Sequence, residues 1–255
     1  MKAATAPEAP STPAPGWSPE VVMPYLWVLV GAVLLALGLR LRIYEDYLLI
    51  AHRADPLLDG IRTVLRTSFW IQFALFWWVA LRRLPLLARR QRLRQRQLLL
   101  AALLATGMSL VNLLSESLAI YRLKLASYDL LFESSLLYGA ITFNFLFWYW
   151  VIDHPPRDPG SLWEINRPAT STGVSMPYGI VFPEEALERD LLKSENWTPG
   201  FTDYLYFTIL SSNCFGAPEG HSLVGAPIKR LHMLHSVVML AVVIVILARA
   251  INTLG

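Results

Sequence analysis

The sequence predicts an all-α integral membrane protein, a helical bundle with five transmembrane helices and one short re-entrant or interfacial helix that is pore-like. Apolar residues make up 55% of the 255-residue chain, so most of it must lie in lipid rather than in water. Five stretches are long and apolar enough to span a bilayer. A sixth apolar stretch is too short to do so.

A tail, residues 1–20, precedes the N-terminal membrane helices, residues 21–126, which include an interfacial segment and an arginine-rich loop. Residues 1–20 are rich in proline and alanine and lack the pattern of a cleaved signal, which predicts a disordered tail. Residues 21–39 can span the membrane, with Arg40 and Arg42 closing the helix. Residues 43–66 mix charged and apolar side chains in a helical rhythm, so this segment is predicted to lie along the interface.

The second span, residues 67–81 with a few residues at either end, is rich in tryptophan and phenylalanine and is followed by a basic loop. Positively charged loops stay in the cytoplasm, so the loop predicts an inside N-terminus and a cytoplasmic pore-like turn. The loop supplies much of the net charge of +3, and no basic surface with interleaved aromatic residues indicates nucleic-acid binding. The arginines of the loop are Arg82, Arg83, Arg89, Arg90, Arg92, Arg94 and Arg96.

The third and fourth spans, residues 98–121 and 127–152, form a tight hairpin in which Glu116 and Glu133 lie equally far from the bend. Carboxylates within spans are costly and often functional, so the pair is a candidate cation site or lock between helices. The favoured alternative is a near-surface pair neutralised by the loop residues Arg122 and Lys124. The polar candidates within the spans are Asn112, Glu116, Glu133, Asn144, Arg249 and Asn252.

A proline-rich connector, residues 153–197, precedes a short helix at residues 198–211. The connector is too long for an ordinary loop and is expected to fold over the bundle. Thr198 suits the cap of the short helix and Pro199 its first position. This helix would rise about 20 Å, which is enough to enter a hydrocarbon core of about 30 Å but not to cross it.

The turn after this helix, residues 212–226, is the candidate pore lining. A helix that ends inside the membrane directs its negative dipole end and unpaired carbonyls at one spot, where a cation is stabilised. Irregular backbone at that depth requires a cavity or an oligomer axis. An interfacial helix packed over the bundle explains the segment equally well. The pore or filter candidates are Thr208, Ser211, Ser212, Asn213, Cys214, Phe215, Gly216 and Glu219.

The inner helix, residues 230–254, carries His232 and His235 at its start and Arg249 near its end. The two histidines could bind a metal or sense pH, but a hydrated helix edge is the favoured interpretation and no metal site is predicted. Arg249 could pair with a carboxylate, although snorkelling to the nearby surface costs less and is favoured.

The short helix and its turn resemble the pore module of potassium channels, in which a short helix runs into T-x-G-Y/F-G. Ser212 falls at the threonine, Cys214 at the first glycine, Phe215 at the aromatic residue and Gly216 at the second glycine. That first glycine permits positive backbone dihedrals, which a residue with a Cβ resists. The departure at Cys214 therefore argues against potassium selectivity of the known kind.

A closer resemblance covers residues 147–254. FWYWVID, DYLYF, CFGAP and a last helix ending in ARAIN resemble a group of uncharacterised, ion-channel-like bacterial membrane proteins. The resemblance implies location in the bacterial inner membrane and a pore-like module at residues 127–255, with residues 127–152 as its outer helix.

These features predict an oligomeric cation channel, most simply a tetramer passing monovalent ions, because one half-length helix cannot enclose a pore. The alternative is a membrane scaffold that docks partners on the connector and transports nothing. An enzyme is not expected, since no nucleophile-and-base pair, phosphate loop or metal motif is present, and no cofactor is predicted. A third hypothesis, a transporter or membrane enzyme, requires Glu116, Glu133, His232 and His235 to meet in space.

Overall fold

A computed structural model of the protein describes residues 19–50, 56–83, 95–119, 127–153, 179–186, 199–214 and 216–254. Residues 1–18 of the predicted tail, most of the arginine loop, Arg122, Lys124 and most of the connector lie outside the described residues. The elements are α1 (Pro19–Ile50), α2 (Pro56–Arg83), α3 (Gln95–Ala119), α4 (Ser127–Asp153), β1 (Gly179–Val181), a 3-10 turn (Pro183–Ala186), α5 (Phe201–Cys214), β2 (Ser222–Val224) and α6 (Ala226–Leu254).

The described part of the chain is all-helical, as predicted, apart from one short strand pair. Five helices, α1 to α4 and α6, are long and apolar enough to cross a membrane. Their apolar windows include Val22–Ile43 in α1 and Ala226–Ile251 in α6. These helices confirm the five predicted spans.

The predicted interfacial segment, residues 43–66, is not a separate element. Its first part continues α1 to Ile50, and its last part opens α2 at Pro56. No proline or glycine interrupts residues 40–50, and a proline suits the first helical position. The expectation that the first helix closes at residues 40–42 is therefore wrong.

The two arginines at that point stay inside the helix because each has a polar partner on a neighbouring helix. Nη1 of Arg40 donates to Oγ of Ser115 on α3 at 2.8 Å, and its guanidinium lies 5.4 Å from the ring centroid of Phe69 on α2. Arg42 forms an ion pair with Asp129 at the start of α4. Buried Arg40 thus joins three helices instead of marking the end of one.

Helix α4 lies at the centre of the bundle. Its C-terminal part meets the start of α1, where the rings of Tyr25 and Trp150 stack with centroids 4.1 Å apart. Its Asn144 donates to Ser109 of α3 at 2.9 Å, and its Tyr149 bonds to His232 near the start of α6. These contacts make α4 antiparallel to α1, α3 and α6.

Small residues let α1 and α4 approach closely. A Cβ built on Gly139 of α4 would lie 3.0 Å from Cδ1 of Leu35, and one on Gly31 of α1 would lie 3.2 Å from the ring of Phe143. Close backbone approach at small residues is a principal source of helix association in membranes, where lipid is as apolar as leucine. The α1–α4 contact therefore depends on these two glycines.

We expect Gly139→Leu to destabilise the protein by about 1–3 kcal/mol, because the larger side chain must displace Leu35 in a packed interface. Unfolding in mixed detergent micelles measures the change. Gly60→Leu is the matched control, since a Cβ at that exposed helical position meets nothing within 4 Å. Equal unfolding midpoints for the two variants would contradict the assigned contact.

The two short strands close one end of the bundle beside the last residue of α4. They pair in antiparallel fashion, with Gly179 opposite Val224. The amide of Ile180 donates to Oδ1 of Asp153 at 2.7 Å, and Gly179, at a φ of 89°, brings the backbone against that carboxylate. A side chain at residue 179 would be strained and would collide with Asp153. The strand pair is thereby fixed to the C-terminal end of α4.

Candidate functional site

Polar side chains inside the bundle gather in two clusters along α6. The carboxylate–arginine cluster, near the end of α6, consists of Glu116, Glu133 and Arg249. The histidine cluster, near its start, consists of Thr142, Tyr149, Ser212, His232 and His235.

In the carboxylate–arginine cluster, one guanidinium serves two carboxylates from different helices. Arg249 pairs with Glu116 of α3, and its Nη2 lies 2.8 Å from Oε2 of Glu133 of α4. The side chains are 6%, 3% and 1% exposed in the order Arg249, Glu116, Glu133. Charges this deeply buried require a partner, because each loses its hydration. The cluster therefore connects α3, α4 and α6.

This geometry corrects the interpretation of Arg249 and shows a partner for the two carboxylates. Arg249 does not snorkel to the surface but pairs with carboxylates, which is the alternative that had been disfavoured. Glu116 and Glu133 lie at the same level, as their equal distance from the bend predicted, and both are buried against Arg249. Their charge partner within the described residues is Arg249, whereas Arg122 and Lys124, the partners expected for a near-surface pair, lie outside the described residues.

The neutral polar candidates in the spans form hydrogen bonds between helices. Asn112 donates to the carbonyl of Ala36 on α1 at 2.7 Å. Asn144 donates to Ser109 across the α3–α4 contact. Ser109, Asn112 and Glu116 follow one another at intervals of three and four residues on one face of α3, and they bond to α4, α1 and α6 respectively. Asn252 is helical, and its side chain is outside the described part of the chain.

The histidine cluster joins α4, α5 and α6 around the hydroxyl of Tyr149. That oxygen lies 2.9 Å from Nδ1 of His232 and 2.9 Å from Nδ1 of His235. Nε2 of His235 lies 3.0 Å from Oγ of Ser212 on α5, and Thr142 lies 3.3 Å from the same oxygen. The ring of His235 also stacks on Phe145, with centroids 4.1 Å apart.

Both histidines are buried, at 9% and 0% exposure for His232 and His235, so the favoured interpretation of a hydrated helix edge is wrong. The sequence reasoning did not single out Thr142 or Tyr149. Their spacing of seven places both hydroxyls on one face of α4, the signal that could have identified them. No group of three or more His, Cys, Asp or Glu side chains is arranged to hold a metal within the described ranges.

Helix α5 lies against α4 and α6 and runs inward from the strand end of the bundle. Near its start, Tyr204 donates to the Asp153 carboxylate, and Asp203 accepts the amide of Gly200 at 2.7 Å. In its last turn, Asn213 accepts a hydrogen bond of 2.7 Å from the hydroxyl of Tyr138. Tyr138 precedes Asp153 by 15 residues on α4, roughly 22 Å at about 1.5 Å per residue.

The chain then comes back to the end of the bundle where α5 began. His221 packs against Phe207 and Phe182, with ring centroids 5.4 and 5.3 Å apart. Three residues later, Val224 pairs with Gly179 beside Asp153. The start of α5 and the strand β2 that follows it therefore both lie near the C-terminus of α4, whereas the end of α5 lies beside Tyr138.

The predicted turn begins three residues later than expected, because α5 continues to Cys214. Ser212 supports this extension by donating to the carbonyl of Thr208 at 2.8 Å. Ser212, Asn213 and Cys214 are therefore helical, which corrects their assignment to a turn. The inner helix likewise starts earlier than predicted, at Ala226.

The pore and filter candidates divide between the helix and the segment after it. Thr208, Ser211 and Ser212 are buried, Asn213 is exposed, Gly216 is half-buried and Glu219 is exposed. The side chain of Cys214 and the whole of Phe215 lie outside the described residues.

The two clusters do not form one site. Arg249 follows His235 by 14 residues on α6, a separation of roughly 21 Å at about 1.5 Å per residue. The four side chains required by the transporter or enzyme hypothesis are therefore divided between distant positions.

Comparison with models of known protein families, with curated proteins and with solved structures finds no match. The class of protein is consequently defined by the structure itself. It is a helical protein with five helices apolar enough to cross a membrane, consistent with an integral membrane protein, and with polar clusters inside its bundle.

Proposed function

We propose that the protein is the subunit of an oligomeric cation channel in which α5 is a re-entrant pore helix between the outer helix α4 and the inner helix α6. The observation that carries the proposal is the course of α5. It starts beside Asp153 and ends beside Tyr138, and the chain then returns to the level of Asp153.

The lengths of the helices agree with this role. Helix α4 has 27 residues, about 40 Å, whereas α5 has 14, about 21 Å. A helix of half the length that starts at the same end stops near the middle of the bundle. Its last carbonyls have no partner within the helix, and its dipole presents partial negative charge there. A cation would be stabilised at that position.

The channel requires several copies, because one α5 cannot enclose a pore. A tetramer is the simplest ring, as in the potassium channels that the segment resembles. An apolar stripe on α6 is exposed and can pack between subunits or against lipid. The members of the stripe are Met233, Val237, Leu240, Ile244, Leu247 and Ile251.

We expect monovalent cations to pass with little discrimination between potassium and sodium. The known potassium filter needs a glycine where this chain has Cys214, which here ends α5. A ring of alternating carbonyls is therefore not expected, and selectivity would come mainly from charge. By the resemblance of residues 147–254, we place the channel in a bacterial inner membrane.

Flux of rubidium and sodium tracers into liposomes holding the purified protein tests the proposal. Asn213→Ala is expected to change the flux by about tenfold, because Asn213 is the exposed polar side chain in the last turn of α5. Ser135→Ala is the matched control, since this exposed serine of α4 donates to the carbonyl of Leu131 in its own helix at 2.8 Å.

A protein that is monomeric after mild solubilisation and passes no tracer would contradict the channel. A stable partner recovered on such a silent protein would instead favour the scaffold hypothesis. Cross-linking before solubilisation, followed by mass measurement, gives the number of subunits.

A further inference from the structure

The hydrogen bonds of the histidine cluster run in one direction once the Ser212 proton is assigned to the carbonyl of Thr208. Ser212 donates its single hydroxyl proton to the carbonyl of Thr208 at 2.8 Å, so its oxygen can only accept from the other groups around it. Nε2 of His235, 3.0 Å away, must therefore carry a hydrogen and donate. In a neutral imidazole the other nitrogen is then bare, so Nδ1 of His235 is an acceptor.

The tautomer of His232 follows from that of His235. Tyr149 has one hydroxyl proton, which goes to Nδ1 of His235 at 2.9 Å. The hydroxyl oxygen must then accept from Nδ1 of His232, also at 2.9 Å. Neutral His232 is therefore protonated on Nδ1, and its Nε2 has a free lone pair.

That lone pair has no hydrogen-bond partner among the described residues, although the atom is buried and His232 is only 9% exposed. A buried acceptor without a partner costs about 1–3 kcal/mol, so its persistence calls for an explanation. In this assignment His232, Tyr149, His235 and Ser212 each donate in the direction away from this atom, and the carbonyl of Thr208 is the final acceptor.

We propose that Nε2 of His232 is a proton-binding site. The series of hydrogen bonds that runs from Tyr149 to the Thr208 carbonyl is oriented to stabilise the bound proton. One proton adds to the lone pair and no bond within the protein breaks. The neutral imidazole thereby becomes an imidazolium with one positive charge. Its Nδ1 hydrogen continues to donate to Tyr149, now as a charge-assisted bond. The aligned donors spread the charge towards the C-terminal half of α5, where the helix dipole is negative.

The neighbouring carboxylates do not take the place of the proton proposed at Nε2 of His232. Asp153 is bonded to Ile180 and Tyr204, and Asp203 accepts the amide of Gly200 at the start of α5. The titratable and charged side chains on α4, α5 and α6, apart from His232 itself, are Tyr128, Asp129, Glu133, Tyr138, Tyr149, Asp153, Asp203, Tyr204, Tyr206, Cys214, Lys229, Arg230, His235 and Arg249, and His221 packs against Phe207 of α5.

Nitrogen NMR of the purified, histidine-labelled protein tests the site, with signals assigned through the variants His232→Gln and His235→Gln. At about pH 8 we expect Nε2 of His232 and Nδ1 of His235 to be the bare nitrogens. On acidification to about pH 5, Nε2 of His232 should gain a hydrogen before His235 becomes charged. The opposite tautomers, or charging of His235 first, would overturn the proposal.

Tyr149→Phe tests the role of this series of hydrogen bonds, because it removes the acceptor of the hydrogen on Nδ1 of His232. The fraction of His232 that is protonated at a fixed acidic pH should fall about tenfold. Tyr128→Phe, at an exposed tyrosine on the same helix, should leave that fraction unchanged. If Tyr149→Phe does not fold, the tautomers of the unmodified protein alone decide the matter.

A regulatory consequence rests on the proposed channel. Positive charge directed at α5 opposes a cation at its C-terminal end, so flux should fall on acidification and fall less in Tyr149→Phe. The two ideas fail separately. Absence of flux with the expected NMR pattern contradicts the channel alone, whereas a flux without the expected tautomers contradicts the proton site alone.

Discussion

Replacing Arg249 with methionine is expected to destabilise the protein by about 3–5 kcal/mol, the largest effect of any single change considered. The substitution keeps an unbranched apolar side chain but leaves Glu116 and Glu133 buried without their shared guanidinium. Leaving a buried charge without its partner costs far more stability than the intact ion pair contributes. Unfolding in mixed micelles measures the loss.

Arg230→Met is the matched control, because Arg230 is an exposed arginine on the same helix. Its effect should stay within about 0.5 kcal/mol. Combining Arg249→Met with Glu116→Gln and Glu133→Gln should recover much of the lost stability, since a neutral cluster needs no counter-charge. Equal stability of Arg249→Met and Arg230→Met would mean that the buried cluster does not hold the helices together.

The second large effect is expected at Asp153. Its carboxylate accepts hydrogen bonds from the amide of Ile180 and the hydroxyl of Tyr204, and thus joins α4, β1 and α5. Hydrogen bonds to a charged acceptor contribute about 1.5–3 kcal/mol each. Asp153→Ala should therefore lower stability by about 3 kcal/mol and loosen the start of α5.

Hydrogen exchange at the backbone amides in the first half of α5 measures this loosening. The exchange rate should rise by about tenfold in Asp153→Ala, which corresponds to about 1.4 kcal/mol of local opening. Glu219→Ala, which removes an exposed carboxylate, is the control and should leave the rate unchanged. An unchanged rate in Asp153→Ala would show that the carboxylate does not hold α5 in place.

The sequence predicted the spans well because each is a local property. An apolar run of sufficient length is a candidate span whatever surrounds it, and all five runs correspond to helices. Predictions at helix ends were poorer. The charged Arg40 resembles a stop signal when it is read alone, yet its bond to Ser115, 75 residues away, lets the helix continue.

For the polar residues, too, local properties were predicted from the sequence and long-range contacts were not. The equal depth of Glu116 and Glu133 followed from the short hairpin, which is a matter of counting along the chain. Their pairing with Arg249 did not, because a residue more than a hundred positions later reaches them only when α6 packs against α3 and α4. Snorkelling appeared cheaper because counting along α6 gives the nearest surface but no partner.

By itself, the sequence determined that the chain is a helical membrane protein and that residues near the last span form a helix too short to cross. Tertiary structure decided which charges are neutralised, which histidine nitrogen lacks a hydrogen-bond partner among the described residues and where α5 ends against α4. The physical reason is range: hydrophobicity acts on each segment separately, whereas a hydrogen bond or an ion pair exists only after two distant segments have been brought within about 3 Å.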